Sequence, residues 1–167
     1  MSLSIALLTV SDSRSLADDP SGDALGQRLQ AAGHQLADRQ LVPDDRYRIR
    51  ALVSAWIADP AVQVVISCGG TGLTGRDGTP EAVAPLLDKR IEGFGELFRV
   101  LSFETIGTSS LQSRCLAGVA NGTLIFVLPG SLDAVQTGWD RLIAAQLDAS
   151  TRPCNLVQLL PRLREPG

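Results

Sequence analysis

Three short apolar runs in this chain lack the alternation that marks a strand with one solvated face. They are Ser4 to Thr9 (SIALLT), Val62 to Ser67 (VQVVIS) and Thr123 to Leu128 (TLIFVL). Such runs are typical of strands buried on both faces, where helices cover both sides of a parallel sheet. A weaker strand is predicted at Leu36 to Val42, and helical patterns separate the runs. The chain is therefore predicted to be α/β, with a three-layer, doubly wound and mostly parallel sheet.

Length and composition indicate one globular domain. The 167 residues are 44% apolar and 20% charged, which excludes a disordered or coiled-coil chain. We predict a single domain over residues 1–167, with an extended tail at 151–167 that carries three prolines. The net charge of −3 argues against a nucleic-acid partner. No apolar stretch reaches the roughly 18–20 residues that span a membrane, and no signal peptide is recognised, so we expect a cytoplasmic protein with no membrane partner.

The cysteines and the single histidine offer few metal ligands. Cys68, Cys115 and Cys154 are far apart, and His34 is the only imidazole, so no structural metal is expected. Cys68 lies beside a glycine-rich loop, but a buried thiol at a strand end explains it more simply than a reactive one. His34 follows Gly33, where a helix should end, and a capping role is expected for it.

The carboxyl ends of the predicted strands carry the most polar and glycine-rich loops. These loops are Ser11 to Gly22, Cys68 to Thr79 and Leu128 to Ser131. Ligands of doubly wound sheets bind beyond the carboxyl ends of the strands. The sequence therefore predicts one shared site built from three loops.

The loop after the second buried run contains GGTG, from Gly69 to Gly72. Glycines after a strand let backbone amides approach a phosphate closely. The spacing fits neither GxGxxG nor GxxxxGK[ST], so a dinucleotide fold and a Walker loop are both rejected. An anion site and a simple turn both remain open, and Thr79 before Pro80 is predicted to cap the next helix.

Two aspartates lie in loops after predicted strands, where their carboxylates could bind a metal ion. Asp77 lies inside the glycine loop, where its carboxylate would repel a phosphate unless a cation such as Mg²⁺ lay between them. Asp77 could equally occupy a solvated loop position or cap a helix. Asp44 could be the second carboxylate, although Asp44 or Asp45 would also serve as an ordinary N-cap.

Other polar residues near these loops have two interpretations each. A hydroxyl-rich strand exit, formed by Thr9, Ser11, Asp12 and Ser13, could bind a nucleotide or merely cap a turn. Ser21 and Gly22 could start a helix or form a second anion site.

A further cluster of three hydroxyls and a guanidinium could bind a phosphate or a pterin, or form a solvent-facing helix start; it comprises Ser109, Ser110, Ser113 and Arg114. These residues alone indicate a phosphate-bearing small molecule, with Mg²⁺, and they do not name a reaction.

Six segments, in order, carry a resemblance to a known family. They are LLTVSDSR (Leu7 to Arg14), DPSG (Asp19 to Gly22), ISCGGTGLTGRDGTPEA (Ile66 to Ala82), EGFGELFR (Glu92 to Arg99), LQSR (Leu111 to Arg114) and LPGS (Leu128 to Ser131). Together they resemble the MoaB/MogA family of molybdenum cofactor biosynthesis over about residues 4–150. GGTG followed by RDGTPEA is the most specific part, and RYRIRALVSAWIA, LSFETIGTSSLQSR and TRPCN are closer to the MoaB branch.

The resemblance implies an α/β domain that binds molybdopterin and assembles as trimers or hexamers. Active members transfer AMP from ATP with Mg²⁺ to the molybdopterin phosphate and release pyrophosphate. By motif match the catalytic residues would be Asp77, which would also handle Mg²⁺, and Asp44. The nucleotide and phosphate contacts would be Thr9, Ser11, Asp12, Gly69, Gly70, Thr71, Gly72, Pro129 and Gly130. The pterin contacts would be Ser21, Gly22, Ser109, Ser113 and Arg114.

The sequence departs from the adenylyltransferase branch in its glycine loop. It has GLTG-RDG where that branch usually has a shorter link and RDVTPEA. An adenylyltransferase is favoured because both Asp44 and Asp77 are present. The competing hypotheses are a non-catalytic molybdopterin-binding or scaffold protein of the same pathway and an unrelated nucleotide hydrolase.

Overall fold

A computed structural model describes residues 1–166 as a six-stranded sheet with helices on both faces. The strands are β1 Ser4–Val10, β2 Gln35–Val42, β3 Val64–Cys68, β4 Lys89–Arg90, β5 Leu116–Ala120 and β6 Thr123–Leu128. The α-helices are α1 Pro20–Ala31, α2 Arg46–Ala58, α3 Thr79–Val83, α4 Glu92–Ile106, α5 Leu132–Gly138 and α6 Ala144–Gln146. Short 3₁₀ helices lie at Ala84–Leu86, Gly107–Gln112 and Val157–Arg162, and a π-helical turn at Trp139–Ile143 joins α5 to α6. Within residues 1–166, no helix is long and apolar enough to cross a bilayer.

The sheet is mostly parallel, as the sequence predicts. Its strand order is β2-β1-β3-β6-β5-β4, and β2, β1, β3 and β6 run parallel. The last two strands differ, because β5 is antiparallel to β6 and β4 is antiparallel to β5. Asn121 and Gly122 join β5 to β6 with φ angles of 47° and 80°, the signs expected of a type I′ hairpin turn. This antiparallel edge was not predicted.

Alternate residues of the central strands enter two hydrophobic cores. In β1, Ile5 and Leu7 enter the core under α1, α4 and α5, whereas Ala6 and Leu8 enter the core under α2 and α3. All four residues are at most 1% exposed. Burial on both faces explains why the apolar runs show no alternation. Each fully buried leucine side chain stabilises the fold by roughly 1.5–3 kcal/mol.

Two helix starts differ from the prediction. Asp19 caps α1 by accepting a hydrogen bond from the Gly22 N–H at 3.1 Å, so Ser21 and Gly22 lie inside the helix. Thr79 is the first residue of α3 and does not cap it. The Thr79 hydroxyl donates instead to the Gly69 carbonyl at 2.9 Å, because the glycine loop packs against this helix start.

The start of α2 and the segment after α1 show what Asp44, Asp45 and His34 do. Asp45 caps α2 by accepting hydrogen bonds from two N–H groups of its first turn, which leaves Asp44 outside the cap. His34 accepts a hydrogen bond at Nδ1 from the Leu3 N–H at 3.2 Å. The imidazole therefore ties the segment after α1 to the start of β1. The predicted capping role for His34 is confirmed through its backbone, because its N–H donates to the Leu29 carbonyl at 2.9 Å beside Gly33, which has a φ of 84°.

The tail is less extended than predicted. Its residues Val157–Arg162 form a 3₁₀ helix, and Val157 is 2% exposed. The Leu156 N–H donates to the Gln146 carbonyl at 3.1 Å, which holds the tail against α6. Burial of these apolar side chains favours a compact tail. The apolar pattern after Ser131 predicts a buried helix face that includes Leu132, but Leu132 directly follows the N-cap of α5 and is 41% exposed.

Candidate functional site

A cleft of about 350 Å³ lies at the carboxyl edge of the parallel strands. Its walls come from the loops after β1, β3 and β6, where the sequence predicts a shared site. It is lined by the predicted residues Thr9, Ser11, Gly69, Gly70, Thr71, Gly72, Asp77 and Gly130. The predicted residues outside its lining are Asp12, Ser21, Gly22, Asp44, Ser109, Ser113, Arg114 and Pro129.

Two consecutive glycines bring the loop after β3 against its neighbours. Gly69 and Gly70 have φ angles of +100° and +69°, which L side chains rarely adopt. A Cβ at Gly69 would lie 2.1 Å from the Val10 carbonyl oxygen, and a Cβ at Gly70 would lie 2.6 Å from Asp44 Oδ2. Glycine is therefore required at both positions for the backbone to reach the end of β1 and the Asp44 carboxylate.

Protein donors already engage the carbonyl groups of this loop. Thr79 donates to the Gly69 carbonyl through its hydroxyl and to the Gly70 carbonyl through its N–H, at 2.9 and 3.0 Å. Arg114 donates to the Gly72 carbonyl from Nε at 2.9 Å and from Nη2 at 2.6 Å. Because these oxygens are engaged, their repulsion of an anion in the cleft is reduced.

The N–H groups of the same loop are less engaged. The Gly69 N–H donates to the Leu128 carbonyl at 3.0 Å. By contrast, among residues 1–166 no hydrogen bond is made by the N–H of Gly70 or Thr71. Successive free N–H groups in a glycine turn form a partial positive surface that suits a phosphate or carboxylate. The geometry thus favours an anion site over a simple turn.

Asp77 lines the cleft and is held in its ionised form. Its Oδ2 accepts hydrogen bonds from the Thr74 N–H at 2.9 Å and from the Thr74 hydroxyl at 2.7 Å. The hydroxyl bond is the largest cause that lowers the pKa of Asp77, and backbone N–H groups add to it. A Cβ at Gly72 would lie 2.6 Å from Asp77 Oδ2, so a third glycine makes room for this carboxylate.

Asp44 lies beside the same loop without lining the cleft. Its Oδ1 accepts a hydrogen bond from the Gly78 N–H at 3.1 Å. Burial raises the pKa of Asp44, and the nearby carboxylates of Asp77 and Asp12 raise it further against the effect of that hydrogen bond. Asp44 and Asp77 are therefore close enough to repel one another, which is the arrangement that a divalent cation relieves.

Asp12 joins three loops outside the cleft. Its carboxylate accepts hydrogen bonds from Arg76 Nε and Nη2 at 3.0 and 2.8 Å, and its Oδ1 also accepts the Asp44 N–H at 2.9 Å. The Arg76 hydrogen bond lowers the pKa of Asp12. The structure gives Asp12 protein partners, and the nucleotide contact expected for it stays a prediction.

Behind the cleft, Asp19 forms a buried polar network that sequence reasoning missed. Its carboxylate accepts hydrogen bonds from the Thr9 hydroxyl at 2.6 Å, Arg39 Nη2 at 3.1 Å and the Gly22 N–H at 3.1 Å. Burial raises the pKa of Asp19, but these hydrogen bonds and the charge of Arg39 outweigh it and lower the pKa. The Thr9 hydroxyl is thus used in the protein interior.

The start of α1 and the loop after β6 meet through one hydroxyl. Ser21 donates to the Gly130 carbonyl at 2.7 Å and accepts a hydrogen bond from Arg14 Nη1 at 3.1 Å. Ser21 is fully buried, and it supports the cleft wall from behind. Gly22 is required for packing, since a Cβ there would lie 2.0 Å from Asp19 Oδ2. Pterin contacts of Ser21 and Gly22 stay predictions.

The predicted serine and arginine cluster near residue 110 lies away from the cleft lining. Ser109 is exposed on the 3₁₀ helix, and the Ser113 carbonyl accepts a hydrogen bond from Arg99 Nη1 at 3.2 Å. Arg114 forms an ion pair with Glu81 of α3 besides its bonds to the glycine loop. The pterin contacts expected of this cluster stay predictions.

Sequence reasoning assigned no ligand contact to two polar residues that line the cleft, Arg14 and Ser131. Arg14 follows β1 directly after Ser13, and Ser131 caps α5 by accepting the Ala134 N–H at 3.1 Å. The available signal was the TVSDSR segment, which places an arginine directly after a hydroxyl-rich strand exit.

The donor set suits a metal ion held mainly by a ligand. Within residues 1–166, no group of three or more His, Cys, Asp or Glu side chains is arranged to bind a metal. Mg²⁺ typically uses one or two carboxylates together with substrate phosphates, and Asp44 and Asp77 fit that requirement. Cys68 does not compete, because burial raises the pKa of its thiol to about 11.

Comparison with known proteins identifies the family. A family model described as a probable molybdopterin binding domain matches residues 6–149. The chain belongs to this family. It is 60% identical over 151 residues to molybdenum cofactor biosynthesis protein B of Escherichia coli strain K12, with coverage of 90% of this chain and 89% of that protein.

Solved structures of this molybdopterin-binding family share the fold. A crystal structure of molybdenum cofactor biosynthesis protein B matches with a TM-score of 0.85 at 40% identity, over 88% of this chain and 92% of that one. The tungsten cofactor synthesizing protein MoaB from Pyrococcus furiosus matches with a TM-score of 0.79 at 32% identity, over 98% of both chains. The family resemblance carried by the loop motifs is confirmed, and so is the α/β fold class predicted from the apolar runs.

Proposed function

We propose that this chain binds molybdopterin in molybdenum cofactor biosynthesis and transfers AMP from ATP to its phosphate with Mg²⁺, releasing pyrophosphate. The family description and the name of the Escherichia coli relative support the ligand and the pathway. One observation carries the chemistry. The carboxylates of Asp44 and Asp77 flank a loop that lines a cleft, and within residues 1–166 the Gly70 and Thr71 N–H groups of this loop make no hydrogen bond.

Adenylyl transfer needs two polyanions brought together. A phosphate oxygen of the pterin forms a bond to the α-phosphorus of ATP, and the bond from that phosphorus to pyrophosphate breaks. Positioning and charge stabilisation carry most of the catalysis in phosphoryl chemistry, with no covalent nucleophile required. In this chain the N–H groups of Gly70 and Thr71 would bind phosphate oxygens. The Gly72 carbonyl accepts hydrogen bonds from Arg114, so its oxygen would repel a bound phosphate less.

The two carboxylates have distinct roles in this proposal. Asp77 is ionised and held by Thr74, so it would hold the metal at a fixed position. Asp44, with its raised pKa, would be the carboxylate whose charge the metal compensates. Mg²⁺ supplies neutralisation of phosphate charge when it is bound.

The test is pyrophosphate release by purified protein with Mg-ATP and freshly prepared molybdopterin. Release that depends on the pterin is expected. Release without pterin would indicate a nucleotide hydrolase, and pterin binding without any release would leave a binding or scaffold protein. Either result would contradict the proposed transfer.

We also propose that the chain works as a homo-oligomer, a trimer or a hexamer. Support comes from α4, where four apolar side chains are between 47% and 61% exposed: Leu97, Val100, Phe103 and Ile106. Monomers rarely expose a continuous apolar stripe, which usually marks an interaction surface. Light scattering is expected to give a mass of three or six chains, and a clean monomer would contradict the proposal.

A cytoplasmic location is proposed on separate grounds. Cys68, Cys115 and Cys154 are all free thiols in the structure. Unpaired cysteines are usual in reducing compartments. Fractionation of cells that express the chain tests this location, and recovery outside the cytoplasm would contradict it.

A further inference from the structure

Arg14 is the only cationic side chain that lines the cleft within residues 1–166. Its side chain is 32% exposed. It extends from the β1 exit, where the Arg14 N–H donates to the Ser11 hydroxyl at 3.0 Å. A charged group at this position faces the same space as the glycine loop and Asp77.

We propose that Arg14 binds a phosphate group of the ligand in this cleft. The inference rests on the proposed function, since it takes the ligand to be a phosphate ester or anhydride. The inference adds Arg14 to the binding site, where its guanidinium would donate hydrogen bonds to phosphate oxygens.

The guanidinium of Arg14 is anchored at one end only. Nη1 donates to the Ser21 hydroxyl at 3.1 Å and to the Gly130 carbonyl at 3.3 Å. Within residues 1–166, Nε and Nη2 donate to no acceptor. Anchoring through Nη1 fixes the plane of the group, so the remaining donors are oriented in advance and less entropy is lost on binding.

The other arginines at this edge already have carboxylate partners. Arg39 Nη1 lies 2.7 Å from Asp23 Oδ1, and Arg39 Nη2 lies 3.1 Å from Asp19 Oδ2. Arg76 pairs with Asp12, and Arg114 pairs with Glu81.

Arg14 is less fully paired than these three. Its Nη1 forms a long ion pair with Asp19 Oδ1 at 3.7 Å, beyond hydrogen-bond distance, and Arg39 already bonds to that carboxylate. Arg14 therefore keeps Nε and Nη2 available as donors to a ligand.

Electrostatics explains why an arginine is needed here. A phosphate in the cleft meets the Asp77 carboxylate, which is held ionised. The free N–H groups of the glycine loop carry only partial charges, whereas arginine carries a full charge and donors that match two phosphate oxygens.

The test measures binding of inorganic pyrophosphate by titration calorimetry, without pterin or turnover. Arg14→Gln is expected to weaken this binding about 10- to 100-fold, as loss of hydrogen bonds to a charged group would. Arg14→Lys should recover part of the affinity, because charge returns without the forked donors. The control is Arg28→Gln, which removes an arginine of α1 paired with Asp140, and it should bind like wild type.

A structural role for Arg14 predicts a different result. In that case Arg14→Gln would lower the urea midpoint while the folded protein bound pyrophosphate within twofold of wild type, and the inference would be overturned. Equal losses in Arg14→Gln and Arg28→Gln would also overturn it.

Two further titrations identify which phosphate Arg14 contacts. A loss confined to Mg-ATP assigns the nucleotide phosphates, and a loss confined to molybdopterin assigns the pterin phosphate. Wild-type affinity for both would contradict the proposal. If Arg14 controls pyrophosphate binding but wild type releases no pyrophosphate from ATP, the proposed transfer fails and the Arg14 site stands.

Discussion

Two carboxylates at the same edge of the sheet have opposite surroundings. The Asp19 side chain is fully buried and accepts hydrogen bonds from a hydroxyl, a backbone N–H and the Arg39 guanidinium. Asp44 is only half-buried, and among residues 1–166 its carboxylate accepts one hydrogen bond, from the Gly78 N–H. The charge of Asp77 acts on it from the adjoining loop.

The two carboxylates therefore differ in role. Asp19 stabilises the fold, whereas Asp44 has oxygen lone pairs that no protein donor among residues 1–166 uses. Hydrogen bonds lower the pKa of Asp19 in spite of its burial, so its charge stabilises the native state. Burial and like charges raise the pKa of Asp44, so its charge destabilises the native state, and the proposed Mg²⁺ would relieve this cost. Stability and function therefore favour opposite residues at position 44.

The largest expected effect is on folding. Asp19→Ala should lower the free energy of unfolding by about 3–5 kcal/mol, because it leaves the buried Thr9 hydroxyl and the Gly22 N–H without an acceptor and removes one of the two carboxylates paired with Arg39. Urea denaturation followed by the fluorescence of the two buried tryptophans measures this loss. Asp23→Ala is the matched control, since Asp23 also pairs with Arg39 but its side chain is 50% exposed. Equal losses in the two variants would contradict the contrast.

The next effect is on turnover. Asp77→Asn keeps the shape of the side chain but removes its charge, and it should reduce pterin-dependent pyrophosphate release about 100-fold, or about 2.7 kcal/mol. The urea midpoint should stay close to that of wild type. Asp59→Asn, at the far end of α2, should leave turnover unchanged. Wild-type turnover in Asp77→Asn would remove Asp77 from the catalytic set.

Two glycines of α1, Gly22 and Gly26, test how tightly the structure packs around the Asp19 side chain. Gly22→Ala should lower the free energy of unfolding by about 1–3 kcal/mol, since its Cβ would lie 2.0 Å from Asp19 Oδ2. Gly26→Ala, one turn later in α1, meets only Leu7 at 3.9 Å and should stabilise the helix by up to about 1 kcal/mol. Urea midpoints measure both. A neutral Gly22→Ala would mean that Asp19 can move.

The smallest expected effect is a gain in stability rather than a loss. Asp44→Asn should raise the free energy of unfolding at pH 7 by less than about 1 kcal/mol, because it removes a charge that burial and Asp77 disfavour. A carboxyl with a raised pKa in the folded chain stabilises it while protonated, and that contribution is lost as the pH rises through its titration. The gain from Asp44→Asn should thus disappear as the pH falls towards about 4. Urea unfolding at several pH values tests this, and a loss of stability at pH 7 would contradict the assignment.

Local patterns predict the centre of the fold better than its edge. The runs that became β1, β3 and β6 were identified because double burial removes alternation, and their loops then had to share one edge. β5 was missed because Leu116–Ala120 (LAGVA) is short and rich in Gly and Ala, which have weak strand preferences. The Asn121-Gly122 turn was the available signal for this hairpin.

The sequence predicts which residues lie at the site more reliably than it predicts their hydrogen-bond partners. Asp44, Asp77 and the glycine loop were found because each follows a strand. By contrast, Asp19, Ser21 and Thr79 are all residue types that cap helices, and only the backbone shows which of them does so. Arg14 was missed because its value depends on which arginines are already paired, a competition between distant segments that no local pattern records.

The free N–H groups at Gly70 and Thr71 bear on how this site can change during evolution. Every residue except proline has a main-chain N–H, so no substitution other than proline removes these hydrogen-bonding groups. The two carboxylates, by contrast, can each be lost by a single codon change. If the proposed transfer depends on these carboxylates, a lineage with this architecture is one mutation away from a protein that keeps its ligand and performs no reaction. Duplicated copies of such a gene could then diverge into a catalyst and a carrier without any change of fold.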